Sequence, residues 1–247
     1  MPVLLAVLAL TLLGSLGGLL LASALLLFND RVRVRLIAWL VSYAVGTLLG
    51  VALLELLPQA LETLAAIRVL ATLLGGILLF FILEKLVVWR HCHTEECVVH
   101  STAAPLVLIG DAFHNFVDGT VIAAAVVSSL PLGISTAIAV AAHEIPQELG
   151  DFAILLGAGY SRRRALVLNV LSGLAAVSGA LAALVALNVI PDLLPYVLSI
   201  ASASFLYIAM ADLIPDLHRG GRDALAVRQV VLVLAGIATV VAFAGLL

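Results

Sequence analysis

The sequence predicts an all-α integral membrane protein with eight transmembrane helices in a 3+2+3 inverted-repeat arrangement and both termini extracytoplasmic. Three observations carry this expectation. Of 247 residues, 64% are hydrophobic and only 11% charged, against about 25% charged in a soluble domain. The polar residues are too few to coat a surface that faces water. The chain also divides into apolar stretches near the roughly 20 residues that a helix needs to cross a bilayer core. Finally, short polar motifs recur in pairs along it. A single polytopic domain, 1–247, follows. The net charge of −3 is confined to short segments, and nothing resembles a nucleic-acid-binding face.

Breaks at charges and at Pro/Gly clusters place the spans at 3–28, 36–57, 67–88, 105–128, 132–157, 165–189, 193–214 and 230–247. The first lacks the basic start of a signal peptide and is too long for its apolar region, so it reads as a helix. Basic residues set the orientation. Arg31, Arg33 and Arg35 follow span one, and Lys85 and Arg90 follow span three. Arg162, Arg163 and Arg164 follow span five, and Arg219, Arg222 and Arg228 follow span seven. Of the twelve Lys and Arg, only Arg68 falls on the other side. The positive-inside rule then puts both termini outside, in a plasma or inner membrane.

Two motifs echo across the chain. Span two holds Ala52-Leu53-Leu54-Glu55-Leu56-Leu57-Pro58-Gln59, and span seven holds Ala209-Met210-Ala211-Asp212-Leu213-Ile214-Pro215-Asp216. Both read A-x-x-acid-L-aliphatic-P-polar. Span four holds His114-Asn115-Phe116-Val117-Asp118, and span five His143-Glu144-Ile145-Pro146-Gln147. Each pair joins helices of opposite predicted direction, as inverted repeats in transporters do.

The second pair carries the chemistry. His114 and Asp118 share a helix face, with Asn115 beside them and Asp111 one turn earlier. On span five His143 and Gln147 share a face, Glu144 and Glu148 the adjacent one, and Asp151 lies one turn on. Ionisable groups at mid-membrane cost on the order of 2.5–3.5 kcal/mol each on insertion scales. Several together imply pairing, a watery cavity or a bound cation. Imidazole with carboxylate and amide oxygens suits a divalent metal such as Zn²⁺, Fe²⁺ or Mn²⁺ better than Na⁺ or K⁺. His143-Glu144 opens like the H-E-x-x-H motif of zinc proteases, but Gln147 replaces the second histidine. Pro146 removes the backbone bond to the Ala142 carbonyl, in a helix that such an enzyme needs regular. In a pore-lining helix the same proline is tolerated.

These residues resemble the ZIP (ZRT/IRT-like) family of divalent metal transporters. The likeness lies in Gly110-Asp111-Ala112-Phe113-His114-Asn115-Phe116-Val117-Asp118-Gly119 and in His143-Glu144-Ile145-Pro146-Gln147-Glu148-Leu149-Gly150-Asp151-Phe152. It extends to Leu53-Leu54-Glu55-Leu56-Leu57-Pro58 and Leu206-Tyr207-Ile208-Ala209-Met210-Ala211-Asp212. It is greatest to the branch whose fifth helix reads H-E-x-P-H-E-x-G-D, from which this chain departs at Gln147. The resemblance implies eight helices, both termini outside, and metal uptake toward the cytoplasm. It also implies a metal centre, often binuclear, between the fourth and fifth helices. Carried over by position, His114, Asp118, His143 and Gln147 form one site, and Asn115 and Glu144 with Asp118 shared form the second. A neutral amide at 147 cannot bridge two cations as a carboxylate can.

The expected mechanism is alternating access. Glu55 attracts cations at the outer end of span two, and Asp111 and Asp151 line the inner exit. Glu148 and Asp212 complete the acidic pathway. Gly46 and Gly50, at GxxxG spacing, serve helix packing or motion. Metal binding to neutral imidazole competes with protons, so transport is expected to fall at acid pH. The 89–104 loop faces the cytoplasm and carries His91, Cys92, His93, Cys97 and His100. A disulfide there is disfavoured. Resemblance to family members with a His-rich loop makes these five residues metal-capture candidates. The expected partners are divalent metal ions and the lipid bilayer, with a homodimer as a further option and no cofactor beyond the transported metal. Two other classes remain open from residues alone: an intramembrane zinc-dependent hydrolase, and a proton- or sodium-coupled carrier.

Overall fold

The computed structural model describes residues 2–25, 27–89, 103–219 and 223–244. His91, Cys92, His93, Cys97 and His100 lie outside them. Among the described residues there is no strand. The helices join into eight rods: α1 (Pro2–Leu25), α2 (30–63), α3 (Ala66–Trp89), α4 (Ala103–Ser128), α5 (Leu130–Gly157), α6 (162–189), α7 (191–219) and α8 (Asp223–Ala244). Capping side chains set several starts. The side chains of Asn29, Ser129 and Ser161 accept from the backbone N–H groups of Val32, Leu132 and Arg164, each satisfying one of the donors that a helix start leaves open. α2 begins well before the expected residue 36, because the helix continues through its arginines rather than stopping at the first charge.

Six rods are long and apolar enough to cross a membrane by length and composition. α4 and α5 are not among them, although they have 26 and 28 residues. The difference from the eight expected spans has a simple physical cause. These two rods carry the His, Asp, Glu, Asn and Gln groups, which lower their hydropathy below that of their neighbours. Burial compensates. In α5, polar His143, Glu144, Glu148 and Asp151 lie within the bundle, while α3 and α8 present mostly exposed apolar side chains on its outside.

Packing follows an exchange pattern. α1 lies on α5, and α6 lies on α4. α2 lies against α8, and α7 against α3. α2 also meets α5, and α7 meets α4. Swapping one with six, two with seven, three with eight and four with five returns the same set. Glycines mark the tightest seams. A Cβ on Gly46 would stand 2.1 Å from the Val233 carbonyl oxygen, and one on Gly236 would stand 2.4 Å from that of Tyr43, so α2 and α8 touch backbone to backbone. Close packing therefore accounts for Gly46, as small residues do where lipid supplies no hydrophobic drive.

α2 and α7 share a further feature. Each contains a π-helical segment, Val51–Leu56 and Ile208–Leu213, and each segment ends at the leucine after the echoed acid. Leu57 N–H reaches back to the Ala52 carbonyl and Ile214 N–H to that of Ala209. The cause is the proline next in sequence. Pro58 and Pro215 have no N–H, and each ring crowds the carbonyl four residues earlier. The preceding turn relaxes to a wider i→i+5 bond. Such bulges recur at functional sites, and here they hold Glu55 and Asp212.

Candidate metal centre

α4 and α5 face each other across four donors. His114 Nε2 lies 3.1 Å from His143 Nε2, 3.6 Å from Asp118 Oδ2 and 3.5 Å from Glu144 Oε1. His143 Nε2 lies 3.0 Å from Asp118 Oδ2 and 3.9 Å from Glu144 Oε1. Bonds of 2.0–2.2 Å in a tetrahedral zinc site put neighbouring ligand atoms about 3.3–3.6 Å apart. The five measured separations bracket that value.

The chemistry of the set also calls for a cation. His143 Nδ1 lies 2.9 Å from the Ala139 carbonyl oxygen, which can only accept. Nδ1 therefore carries a proton, and in the neutral ring Nε2 presents a lone pair. A backbone bond of this kind orients metal-binding histidines generally. Asp118 and Glu144 are fully buried, and their oxygens are turned toward the two imidazoles and toward each other. Lone pairs thus converge from four side chains. His143 is buried, whereas His114 is 20% exposed. His114 opens onto a cavity of about 270 Å³, which Glu84, Tyr207 and Asp212 also line.

A second group adjoins the first. Asp111, Glu144 and Glu148 each offer an oxygen, and those atoms lie within 4.8 Å of one another. Asp111 is held by three donors: the Asn115 amide at 3.1 Å, the Gln147 amide at 3.0 Å and the Ser172 hydroxyl. Glu148 is 1% exposed, with the Asn169 side chain as its polar neighbour. Asp151 is buried nearby. Among the described residues no Lys or Arg forms an ion pair with any of these acids.

Each expected site residue among the described ones now has a place. His114, Asp118 and His143 come together as the sequence suggested, but the fourth position near them is taken by Glu144. Gln147 turns to Asp111. The Asn115 oxygen accepts from Ser15 at 2.8 Å, while its amide nitrogen donates to Asp111. Glu55 is buried within the bundle, where the Ser135 hydroxyl of α5 donates to it. Asp212 lies on the wall of the cavity that His114 opens onto.

Sequence reasoning gave α1, Glu84, Tyr207 and Ser172 no part in the site. Ser15 donates to both Asn115 and the Gly173 carbonyl, which ties α1 to α4 and α6. A Cβ on Gly18 would lie 2.8 Å from Glu144 Cβ, whereas one on Gly17 would meet nothing within 4 Å. The available signal was the small-residue seam Thr11, Gly14, Ser15, Gly18 and Ala22, spaced at three and four. Gly18→Ala is expected to push Glu144 and weaken zinc binding roughly 10-fold, the scale of an outer-shell change. Gly17→Ala should leave it unaltered. Isothermal titration of both variants measures this, and equal affinities would remove Gly18 from the support of Glu144.

Three buried donors and the partly exposed His114, at tetrahedral spacing inside an apolar helix bundle, make a set that fits a divalent metal. Comparison with known proteins specifies the class further. Residues 89–244 match the family described as ZIP Zinc transporter, and the chain belongs to that family. It is 46% identical over 110 residues to zinc transporter ZIP4 of Homo sapiens, covering 44% of this chain and 17% of that protein. It is 38% identical over 123 residues to zinc transporter ZIP10 of Danio rerio, covering 50% and 14%. It is 42% identical over 129 residues to metal cation symporter ZIP8 of Rattus norvegicus, covering 52% and 27%. The matches thus span about a quarter or less of these relatives. All three are named as transporters.

Proposed function

We propose that this chain carries divalent transition metals, Zn²⁺ foremost, across a membrane into the cytoplasm by alternating access. The carrying observation is the set His114, Asp118, His143 and Glu144, whose donor atoms converge at zinc-like spacing. In this reading all eight rods cross the bilayer in a 3+2+3 inverted repeat with both termini outside. The distribution of Lys and Arg, the exchange pattern of helix packing and the paired π segments support it. α4 and α5 cross with their polar groups turned into the bundle, while side chains such as Ile109, Phe113 and Ile154 face outward. Glu55 receives metal from outside. The cavity below His114 leads the metal past Asp212 and Glu84 toward the cytoplasmic end of α3.

Asp111, Glu144 and Glu148 form a weaker second seat in the same scheme. Its chemistry is all oxygen, and Asp111 is already shared among three donors. Gln147 is one of them, and it contributes no negative charge. Purified wild-type chain is therefore expected to retain one tightly bound zinc. Gln147→Glu should retain two, because a carboxylate would replace the amide beside Asp111. Elemental analysis after dialysis counts them, and an equal count in both proteins would exclude control by position 147. Zinc flux into proteoliposomes of the purified chain tests the whole reading. Sealed vesicles that take up no zinc would overturn it, and turnover of a peptide or lipid substrate would revive the hydrolase.

A further inference from the structure

A second cavity, of about 800 Å³, lies away from the metal centre between α1, α2, α5 and α6. Its volume falls within the roughly 300–1,000 Å³ typical of ligand sites. One end is basic, with Arg33, Arg162 and Arg163 on its wall. The rest is apolar, with Ile37, Leu149, Phe152, Leu156 and Leu166 along the side and Pro146 on the wall contributed by α5. Leu27, Gly150, Ala153, Leu156 and Leu166 are exposed, so the cavity opens sideways onto the apolar exterior of the bundle.

Its charge rules out a passage for metal, because arginines at the mouth repel a cation. Among the described residues neither Arg162 nor Arg163 has an acidic partner. Both lie in the first turn of α6, which holds no acid, so they add positive charge where the helix dipole is already positive. Arg164 differs in standing over the Tyr160 ring at 4.5 Å. The compensation missing among the described residues is an anion at the membrane surface, attached to something apolar that fills the groove behind it. Basic pockets between transmembrane helices suit such headgroups.

We propose that this cavity binds one anionic phospholipid. Its phosphate lies between Arg162 and Arg163, and an acyl chain runs along Leu156 and Leu149 to Pro146. The proposal rests on the chain lying in a bilayer and not on what it carries, so a failure of zinc flux would leave it standing. The occupant would touch α5 one residue from Gln147 and two from Glu144, on the rod that positions the metal centre.

Native mass spectrometry of the full chain, extracted from vesicles of phosphatidylcholine with phosphatidylglycerol, tests this. One phosphatidylglycerol is expected to stay bound per chain, in preference to phosphatidylcholine. The double variant R162Q/R163Q should weaken its retention roughly 30-fold, and R164Q should not. Gly150→Leu supplies an independent arm. A Cβ at Gly150 meets nothing within 4 Å, so the larger side chain fills the groove, keeps both arginines and should displace the lipid. Equal retention of both lipids, or unchanged retention in R162Q/R163Q and Gly150→Leu, would overturn the proposal. So would displacement by millimolar inorganic phosphate, which would mark a plain anion site.

Discussion

His143→Ala is expected to lower zinc uptake by at least about 100-fold while the protein still reaches the membrane. His143 is buried and fixed from both ends. Its Nδ1 is committed to the Ala139 carbonyl, and its Nε2 lies among Asp118, His114 and Glu144. Removing an outer-shell partner of a metal ligand typically costs 10–100-fold, and losing a ligand itself belongs at or beyond the top of that range. Alanine also leaves Asp118 buried with its nearest neighbour gone, at a depth where an uncompensated carboxylate is expensive. Asp118→Ala should behave alike. Uptake of labelled zinc, corrected for surface-exposed protein, is the measurement. Wild-type uptake in either variant would refute the site.

Gly119→Leu is expected to prevent the bundle from assembling. α4 and α6 touch main chain to main chain. A Cβ on Gly119 would stand 1.8 Å from the Ala176 carbonyl oxygen, and one on Gly179 would stand 1.9 Å from that of Phe116. No rotamer relieves a clash with backbone, so the rods must part. Overpacking that side chains can absorb already costs about 1–3 kcal/mol, and this change exceeds that. It would also move Asp118, one residue away, from the two imidazoles. Gly75→Ala in α3 is the contrast. Its new Cβ meets nothing within 4 Å, and alanine should raise helix stability by up to about 1 kcal/mol. Thermal unfolding in detergent separates the two. A normal melting temperature for Gly119→Leu would mean that α4 and α6 are not held by this contact.

The membrane class, the rods and the pairing of α4 with α5 were legible in the sequence because each rests on period and composition. His114 and Asp118 follow from i and i+4 sharing a helix face, whereas the same spacing joined His143 to Gln147, which bonds Asp111 instead. The choice between Glu144 and Gln147 was not legible. One residue turns a helix by about 100°, and which of two neighbouring positions meets the partner depends on how α5 is rotated against α4. That rotation is set by packing, including the place of Gly18 against Glu144, and no local pattern records it. α1 was opaque for a related reason. When every side is apolar, the buried side differs only in the size of its residues, and Thr11, Gly14, Ser15, Gly18 and Ala22 stand out only once the helix is seen against α5. The echoed prolines were visible, but their effect on the turn before them was not anticipated.

The two π segments also have a mechanical meaning. An i→i+5 turn holds one residue more than an α-turn, so each segment acts as a phase shifter. The face that α2 shows before Val51 is offset from the face it shows after Leu56. Val41, Ala44, Val45 and Leu48 are buried on one side of the shift and Leu57 and Ala60 on the other, with Glu55 inside it. Tightening such a turn to a plain α-turn would rotate everything beyond it by about one residue's worth, roughly 100°. α2 and α7 thus each carry a place where a small change in hydrogen bonding becomes a large change in which side chains face the bundle interior, and both places hold an acid.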